Sequence, residues 1–433
     1  MLQDITASDR SSRLRLIGFG LFSAVYFLSY FQRVAISAVA DDLAFELRLD
    51  SVALGFMSSG FLISYALTQP IMGFLCDRIG PERVSAIALI LAAIGSFMFG
   101  KANGFGPAFL GRIIMGVGLS AGLIPGMKFI AVMFPPEVFT TYNALFVATG
   151  NIGALVGAAP LVQLSARFGW RSVFTGLAVA SVSIAGLCLA FTSKQPSPRV
   201  QAPDSGDKAS SYRDVIKSPH LWLLSFYLFG RYGAQIAFQG LWGIPYLTGV
   251  YGVDATSAAG AVGMIAIGII VASPIVGKLA DTMAARGMGL FAARRRLLVS
   301  AALCYVATWI PLVLAPGFLP FQAIYVLLFI MGMCTCTASL VFGIVKDLFR
   351  PNVSGFASGL VNIICVLGGV VMPPVVGWFV KRITAQGLYG GAVYSKSLVP
   401  CLVASAAGAA LILIMPKPAE KPFQRALGQH TYD

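Results

Sequence analysis

The chain has 433 residues, 57% of them apolar and 11% charged, with a mean hydropathy of +0.82, a balance that excludes a soluble globular domain. Its formal net charge of +14 does not mark a nucleic-acid partner, because the charges are segregated. With the N-terminus placed inside, twenty of the 31 Lys and Arg fall in cytoplasmic segments, seven in outer ones and four within apolar segments. That is the positive-inside bias of a membrane protein with both termini cytoplasmic.

Windows of about 20 apolar residues each suffice to cross a bilayer. Twelve follow one another, at 16–38, 52–74, 84–101, 106–130, 140–163, 172–192, 221–248, 258–279, 297–315, 321–344, 356–379 and 398–415. They predict an all-α polytopic membrane protein. No small-residue cleavage site follows the first segment, which is therefore expected to stay as a span.

Segment one carries Tyr26, Tyr30 and Arg33 at i, i+4 and i+7, one face of a helix. A charge at the bilayer centre costs about 2.5–3.5 kcal/mol. Arg33 is therefore expected to face a polar cavity, or else to reach the outer interface. A polar hairpin, Gly73-Phe-Leu-Cys-Asp77-Arg78-Ile-Gly80-Pro-Glu82-Arg83, joins segments two and three. In it Gly73 permits close helix approach, Asp77 ends a helix within pairing reach of Arg78 and Arg83, and Gly80 supplies the turn. Segment four holds Arg112 and, near its inner end, Lys128, whose stem can carry the ammonium to the headgroups. Gly150, Gly153 and Gly157 of segment five have helix-packing spacing.

Residues 194–215 are rich in Pro, Ser and mixed charge, the composition of a flexible linker. They divide the chain into an N-terminal half, 1–193, and a C-terminal half, 216–433, with six apolar segments in each. Segment seven carries Arg231 near its middle, with Gln235, Gln239 and Trp242 continuing one stripe. After segment eight, Gly277-Lys-Leu-Ala-Asp281 repeats the Gly and Asp of the first hairpin at an offset of 204. None of the 17 acidic residues falls in an apolar core. Arg33, Arg112, Lys128 and Arg231 thus have no intramembrane anion, and a substrate anion is the simplest counter-charge.

The Gly-x-x-x-Asp-Arg-x-Gly-x-x-Arg pattern over Gly73–Arg83 resembles the signature loop of the major facilitator superfamily. Arg112-Ile-Ile-Met-Gly116-Val-Gly118 is similar to that family's fourth-helix pattern. The resemblance implies two six-helix bundles related by an axis along the membrane normal, with the solute bound near midplane between them. It also implies conformational or coupling roles for Gly73, Asp77, Arg78, Gly80, Arg83, Arg112, Gly277 and Asp281. Within the family, Tyr30-Phe-Gln-Arg33 and Arg231-Tyr232-Gly233 resemble the organophosphate antiporter branch, where arginines of the first and seventh helices clamp a phosphate. By that resemblance Arg33, Arg231, Tyr26, Tyr30, Gln235, Gln239 and Trp242 are the expected substrate-binding residues. Three departures stand out. The arginines are 198 residues apart where the hairpins are 204 apart, which would place Arg231 six residues, about 9 Å, nearer the cytoplasm. The segment-five His of that branch is absent, and Pro160 is displaced from Gly157, unlike the Gly-Pro motif of drug antiporters.

The expected function is a secondary transporter of a small organic or phosphorylated anion. It would work by alternating access in the inner membrane, as a monomer and without a cofactor. The missing acids favour antiport or substrate-linked coupling. A drug exporter, or a carrier of metal or iron chelates, is the alternative, and a cationic drug would need a membrane carboxylate. A transporter-like sensor is a third reading. An enzyme is the least supported class, since no nucleophile–base pair, phosphate loop or metal cluster stands out. The seven Cys read as small packing residues.

Overall fold

The structure is a computed structural model that describes residues 2–134, 136–192, 209–349, 351–388 and 390–416. A lipid-facing segment must satisfy its own backbone hydrogen bonds, which favours helix throughout, and no strand forms among the described residues. The first six spans are α1 (Leu2–Ala38), α2 (Ser51–Ile79), α3 (Pro81–Gly100), α4 (Phe105–Leu119, resumed as Ile124–Met133), α5 (Pro136–Val156, resumed as Ala159–Phe168) and α6 (Trp170–Thr192). The second six open with α7, which runs from Pro219–Ala237 through a π-turn, Phe238–Trp242, into Gly243–Tyr251. Then come α8 (Ala255–Met283), α9 (Leu290–Leu314), α10 (Phe321–Thr335, resumed as Ala338–Leu348), α11 (Pro351–Thr384) and α12 (Gly391–Ser397, resumed as Val399–Leu413).

By length and composition alone, ten helices among the described residues could cross a membrane, and α5 makes an eleventh if its two pieces, bent by 44°, are one span. The bend falls at Gly157 and Ala158, just before Pro160, so segment 140–163 is not one straight helix. The twelfth, α7, falls short because His220, Arg231 and Gln235 lower the hydropathy of its first piece. The stretch read as a linker is not irregular throughout: Ala209–Lys217 is helical, and 194–208 lies outside the described residues.

The two sets of six pack alike. In the first, α1 lies on α5, α2 on α4 and α3 on α6; in the second, α7 lies on α11, α8 on α10 and α9 on α12. Close glycine contacts fix the register of this repeat. A Cβ on Gly153 of α5 would strike the Phe27 carbonyl of α1, as one on Gly368 of α11 would strike the Phe229 carbonyl of α7. The α1/α7 offset is therefore 202 (Phe27 to Phe229). Likewise Gly116 of α4 meets the Phe61 carbonyl of α2, and Gly332 of α10 meets the Ile265 carbonyl of α8. These give 204 for α2/α8 and 216 for α4/α10. The hairpin offset of 204 thus does not carry over to α1/α7. The expected six-residue gap between the arginines shrinks to four, one helical turn or about 6 Å. In this register Arg33 corresponds to Gln235, and Arg231 to Ser29.

The two sets touch through α2 on α11, α5 on α8 and α1 on α7. Where α2 begins, Lys381 on α11 pairs with Asp50 at 2.8 Å, and Ser51 Oγ donates to the Gly377 carbonyl at 2.7 Å. Farther along, Gly55 packs on the Pro373–Pro374 backbone, Ser59 donates to the Val370 carbonyl, and Ser37 donates across to the Leu241 carbonyl at 3.3 Å. Among the described residues, the hydrogen bonds joining the two sets run from Arg33 toward this Asp50 end. The opposite end, where the linker enters, is different. A Cβ on Gly73 would meet only an Ile124 methyl at 3.9 Å, and one on Gly277 nothing within 4 Å. The expected close approach at Gly73 is therefore not seen among the described residues, where the two sets are zipped together at the Asp50 end.

Candidate functional site

The zipped contacts stop at Arg33 of α1, which is 8% exposed. Its guanidinium lies over the Tyr30 ring at 4.3 Å and the Tyr65 ring of α2 at 4.8 Å. Its Nη1 donates to Tyr232 Oη of α7 at 3.3 Å, so this one cation spans the two sets. Tyr26 packs edge-on against Tyr30 with centroids 4.9 Å apart, which gives the predicted helix face its partners. Tyr30 and Tyr232 correspond under the 202 offset, so the guanidinium sits between a pseudo-symmetric pair of phenols. Its Nε finds no partner, and no carboxylate contacts it among the described residues. Ring faces and a neutral phenol stabilise a cation in part, by about 0.5–2 kcal/mol per ring. They leave its charge available to an anion.

Arg231 sits one turn away and faces elsewhere. Its Nη1 donates to the Thr335 carbonyl of α10 at 2.8 Å and to Gln235 Oε1 at 3.3 Å, and Gln235 Nε2 donates to Gln239 Oε1 at 3.1 Å. The predicted stripe thus holds as a chain of hydrogen bonds from Arg231 through Gln239. It breaks at the π-turn, whose extra residue rotates the remainder of the helix. Trp242 is turned onto α11, where its Nε1 donates to the Pro373 carbonyl at 3.0 Å. Arg33 and Arg231 are therefore not brought onto one shared partner, and Trp242 belongs to the zipped end. Gln239 shares a narrow crevice there with Val34 and Ser37.

The residues with expected conformational roles are spread over the linker end and the interior. Arg112 is fully buried. Its Nε donates to the Met57 carbonyl of α2 at 3.1 Å and its Nη1 to the Gln32 carbonyl of α1 at 2.9 Å, over the Phe61 ring. It ties α4 to α1 and α2. Gly80 takes φ +88°, a conformation that favours glycine, where α2 turns into α3. Arg78 stacks on Phe74 at 4.4 Å, and Arg83 is exposed. The side chains of Asp77 and Asp281 lie outside the described residues. Cys76, read as part of the loop, is instead buried in the last helical turns of α2. Lys128 does not simply reach for headgroups: its Nζ donates to the Cys76 carbonyl at 2.8 Å, a cation at a helix C-terminus. Among the described residues no group of three or more His, Cys, Asp or Glu could hold a metal ion.

Sequence reasoning missed Tyr65 and the Asp50–Lys381 pair, and did not single out Tyr232. Tyr232 could have been found by stepping 202 from Tyr30, had the α1/α7 register been known. Nothing in the local sequence of Tyr65 or Lys381 marks a partner on another helix.

A model of the Major Facilitator Superfamily matches residues 22–373. The chain is 24% identical to a probable galactarate/D-glucarate transporter of Bacillus subtilis (strain 168), over 90% of either chain. It is 22% identical to a probable sulfoacetate transporter of Cupriavidus necator, over 84% of this chain and 86% of the other. A solved bacterial homolog of the human lysosomal transporter Spinster, in an inward-facing and unoccupied conformation, matches with a TM-score of 0.72. That match covers 94% of this chain and 99% of the other at 17% identity, a likeness of fold alone.

Proposed function

The chain belongs to the major facilitator superfamily, and from that membership we propose that it carries a small organic anion across a bacterial inner membrane by alternating access. The observation that carries this reading is Arg33. It is a nearly buried guanidinium at the limit of the zipped contacts, bridged to the second half by Tyr232 and without a carboxylate among its described contacts. A buried charge of this kind is stable only when something neutralises it. A carboxylate or sulfonate entering between the halves does so, and the named substrates of the relatives carry such groups. The positive-inside bias supports cytoplasmic termini and a cytoplasmic linker end, and on that reading this form is closed on the outer side, at Asp50. The halves 1–193 and 216–433 are the two moving bodies. A bound anion that bridges them favours closure over the solute.

The test is a thermal-shift screen of purified protein against hydroxy-carboxylates, sulfonates, sugar phosphates and organic cations, followed by uptake of the hits into proteoliposomes. A true ligand stabilises the native state by mass action. The expected hits are organic carboxylates or sulfonates that are also taken up. Stabilisation by cations alone overturns the reading, and binding of an anion without uptake turns it into that of a sensor.

A further inference from the structure

The sequence suggests two anion-binding arginines, but the structure separates their work. The buried Nε of Arg231, like that of Arg33, has no hydrogen-bond partner among the described residues, but every described contact of Arg231 lies in its own half: Thr335 of α10, Gln235 of α7, and Tyr305 of α9, whose Oη donates to the Arg231 carbonyl at 3.2 Å. Arg33 alone reaches across, to Tyr232.

The internal repeat shows what Arg231 does. Its counterpart Ser29 donates from Oγ to the Leu119 carbonyl at 3.1 Å. Leu119 corresponds to Thr335 under the 216 offset that the glycine contacts independently give for α4 and α10. Both carbonyls end the first piece of a broken helix. Phe105–Leu119 stops before the 3-10 turn Ser120–Gly122, and Phe321–Thr335 stops before α10 resumes at Ala338. A carbonyl at a break lacks the α-helical partner four residues on and is open to a further donor. Ser29 supplies it in one half and Arg231 in the other, from equivalent positions.

Arg33 and its own counterpart Gln235 form the other matched pair. One is charged and meets the opposite half; the other is a neutral amide bonded to Arg231 and Gln239.

We propose that Arg231 is a positioning residue that pins the break of α10 to α7, and that the solute site has a single anion-binding arm, Arg33. The site then suits a solute with one anionic group at that arm and neutral hydrogen-bonding groups toward α7. A second carboxylate gains nothing there. This rests on the anion-carrier reading above.

The experiment compares an aldonate with the aldarate of the same carbon skeleton, by titration calorimetry and by uptake, in wild type, Arg33→Gln, Arg231→Ser and Arg231→Lys. For wild type the two affinities should agree within about threefold. Arg33→Gln should weaken both by tenfold or more and raise the KM of uptake. Arg231→Ser should leave KM within twofold and keep most of the maximal rate, since serine already fills this role at position 29. Arg231→Lys keeps charge and donor, and should do the same if the serine variant fails to fold. An aldarate preferred thirtyfold or more, with that preference lost in the Arg231 variants, overturns the single-arm proposal and leaves the anion carrier standing. Failure of both sugar acids to bind, or indifference to Arg33→Gln, overturns this inference, and the carrier reading falls with it if no sulfonate or other organic anion binds either.

Discussion

At the scale of single residues, the legible part was the part confined to one helix. Tyr26, Tyr30 and Arg33 could be placed on one face because helix geometry fixes it. Tyr65 and Tyr232 could not, since they arrive from other helices. A charge-assisted hydrogen bond contributes about 1.5–3 kcal/mol, so Arg33→Gln is expected to weaken anion binding by ~10- to 150-fold, read by calorimetry. Arg33→Lys should recover only part of that, because a lysine does not present a planar fork to a carboxylate. The Asp50–Lys381 pair gives a pH dependence. The hydrogen bond from Lys381 holds the Asp50 carboxyl below its ordinary value of 3.8. A depressed value in the closed form means the pair's contribution is fully present above the ordinary value and is lost as pH falls through the lowered one. Both side chains are about half exposed, so the contribution is small, at most about 1 kcal/mol. Asp50→Asn should remove it at every pH. A cysteine placed at Ser59 should then react faster with an impermeant maleimide added outside, and an unchanged rate would show that the pair does not hold this end shut.

At the scale of elements, hydrophobic length located the helices, and their irregularities escaped it. The bend of α5, the π-turn of α7 and the break of α10 change direction within stretches that read as uniformly apolar. The π-turn is why a stripe that looks continuous from Arg231 to Trp242 does not stay on one face. The most testable element contact is α2 against α11. A Cβ on Gly377 would strike the Ser51 carbonyl, so Gly377→Val should wedge the Asp50 end apart and shift the protein toward outward opening. Spin-label distances between the outer ends of α2 and α11 should lengthen, and no change would argue against a tight seal. Gly73 offers the converse case, because space is open around it in this form. Gly73→Leu should leave the melting temperature within a few degrees of wild type and still slow uptake, if that space is filled when the linker end closes. Unimpaired uptake would mean that the glycine serves no contact in either form.

At the scale of the molecule, composition and charge asymmetry were enough for class and twelvefold order, and the polar hairpin was enough for the family. The depth of one half's residues relative to the other's was not legible. It depends on helix offsets of 202, 204 and 216 that only packing reveals. Reporter fusions near Ser205 and after Pro418 should prove cytoplasmic, and one near Asp50 external. An external linker would invert every statement about which end is open. The unneutralised guanidinium of Arg33 also makes the molecule an electrical object. Its charge lies in the transmembrane voltage, where one charge crossing the whole field is worth about 2.3 kcal/mol per 100 mV. An interior-negative potential draws a positive group toward cytoplasmic access, so the empty carrier should rest open inward in an energised cell. Its reorientation should generate a transient current without any solute. A singly charged anion at Arg33 would cancel that one charge, so the loaded and empty crossings should differ by one elementary charge. Recordings on supported membranes should show the solute-free transient in wild type and a smaller one in Arg33→Gln, so that the side chain proposed to hold the anion would also make the empty carrier sensitive to voltage.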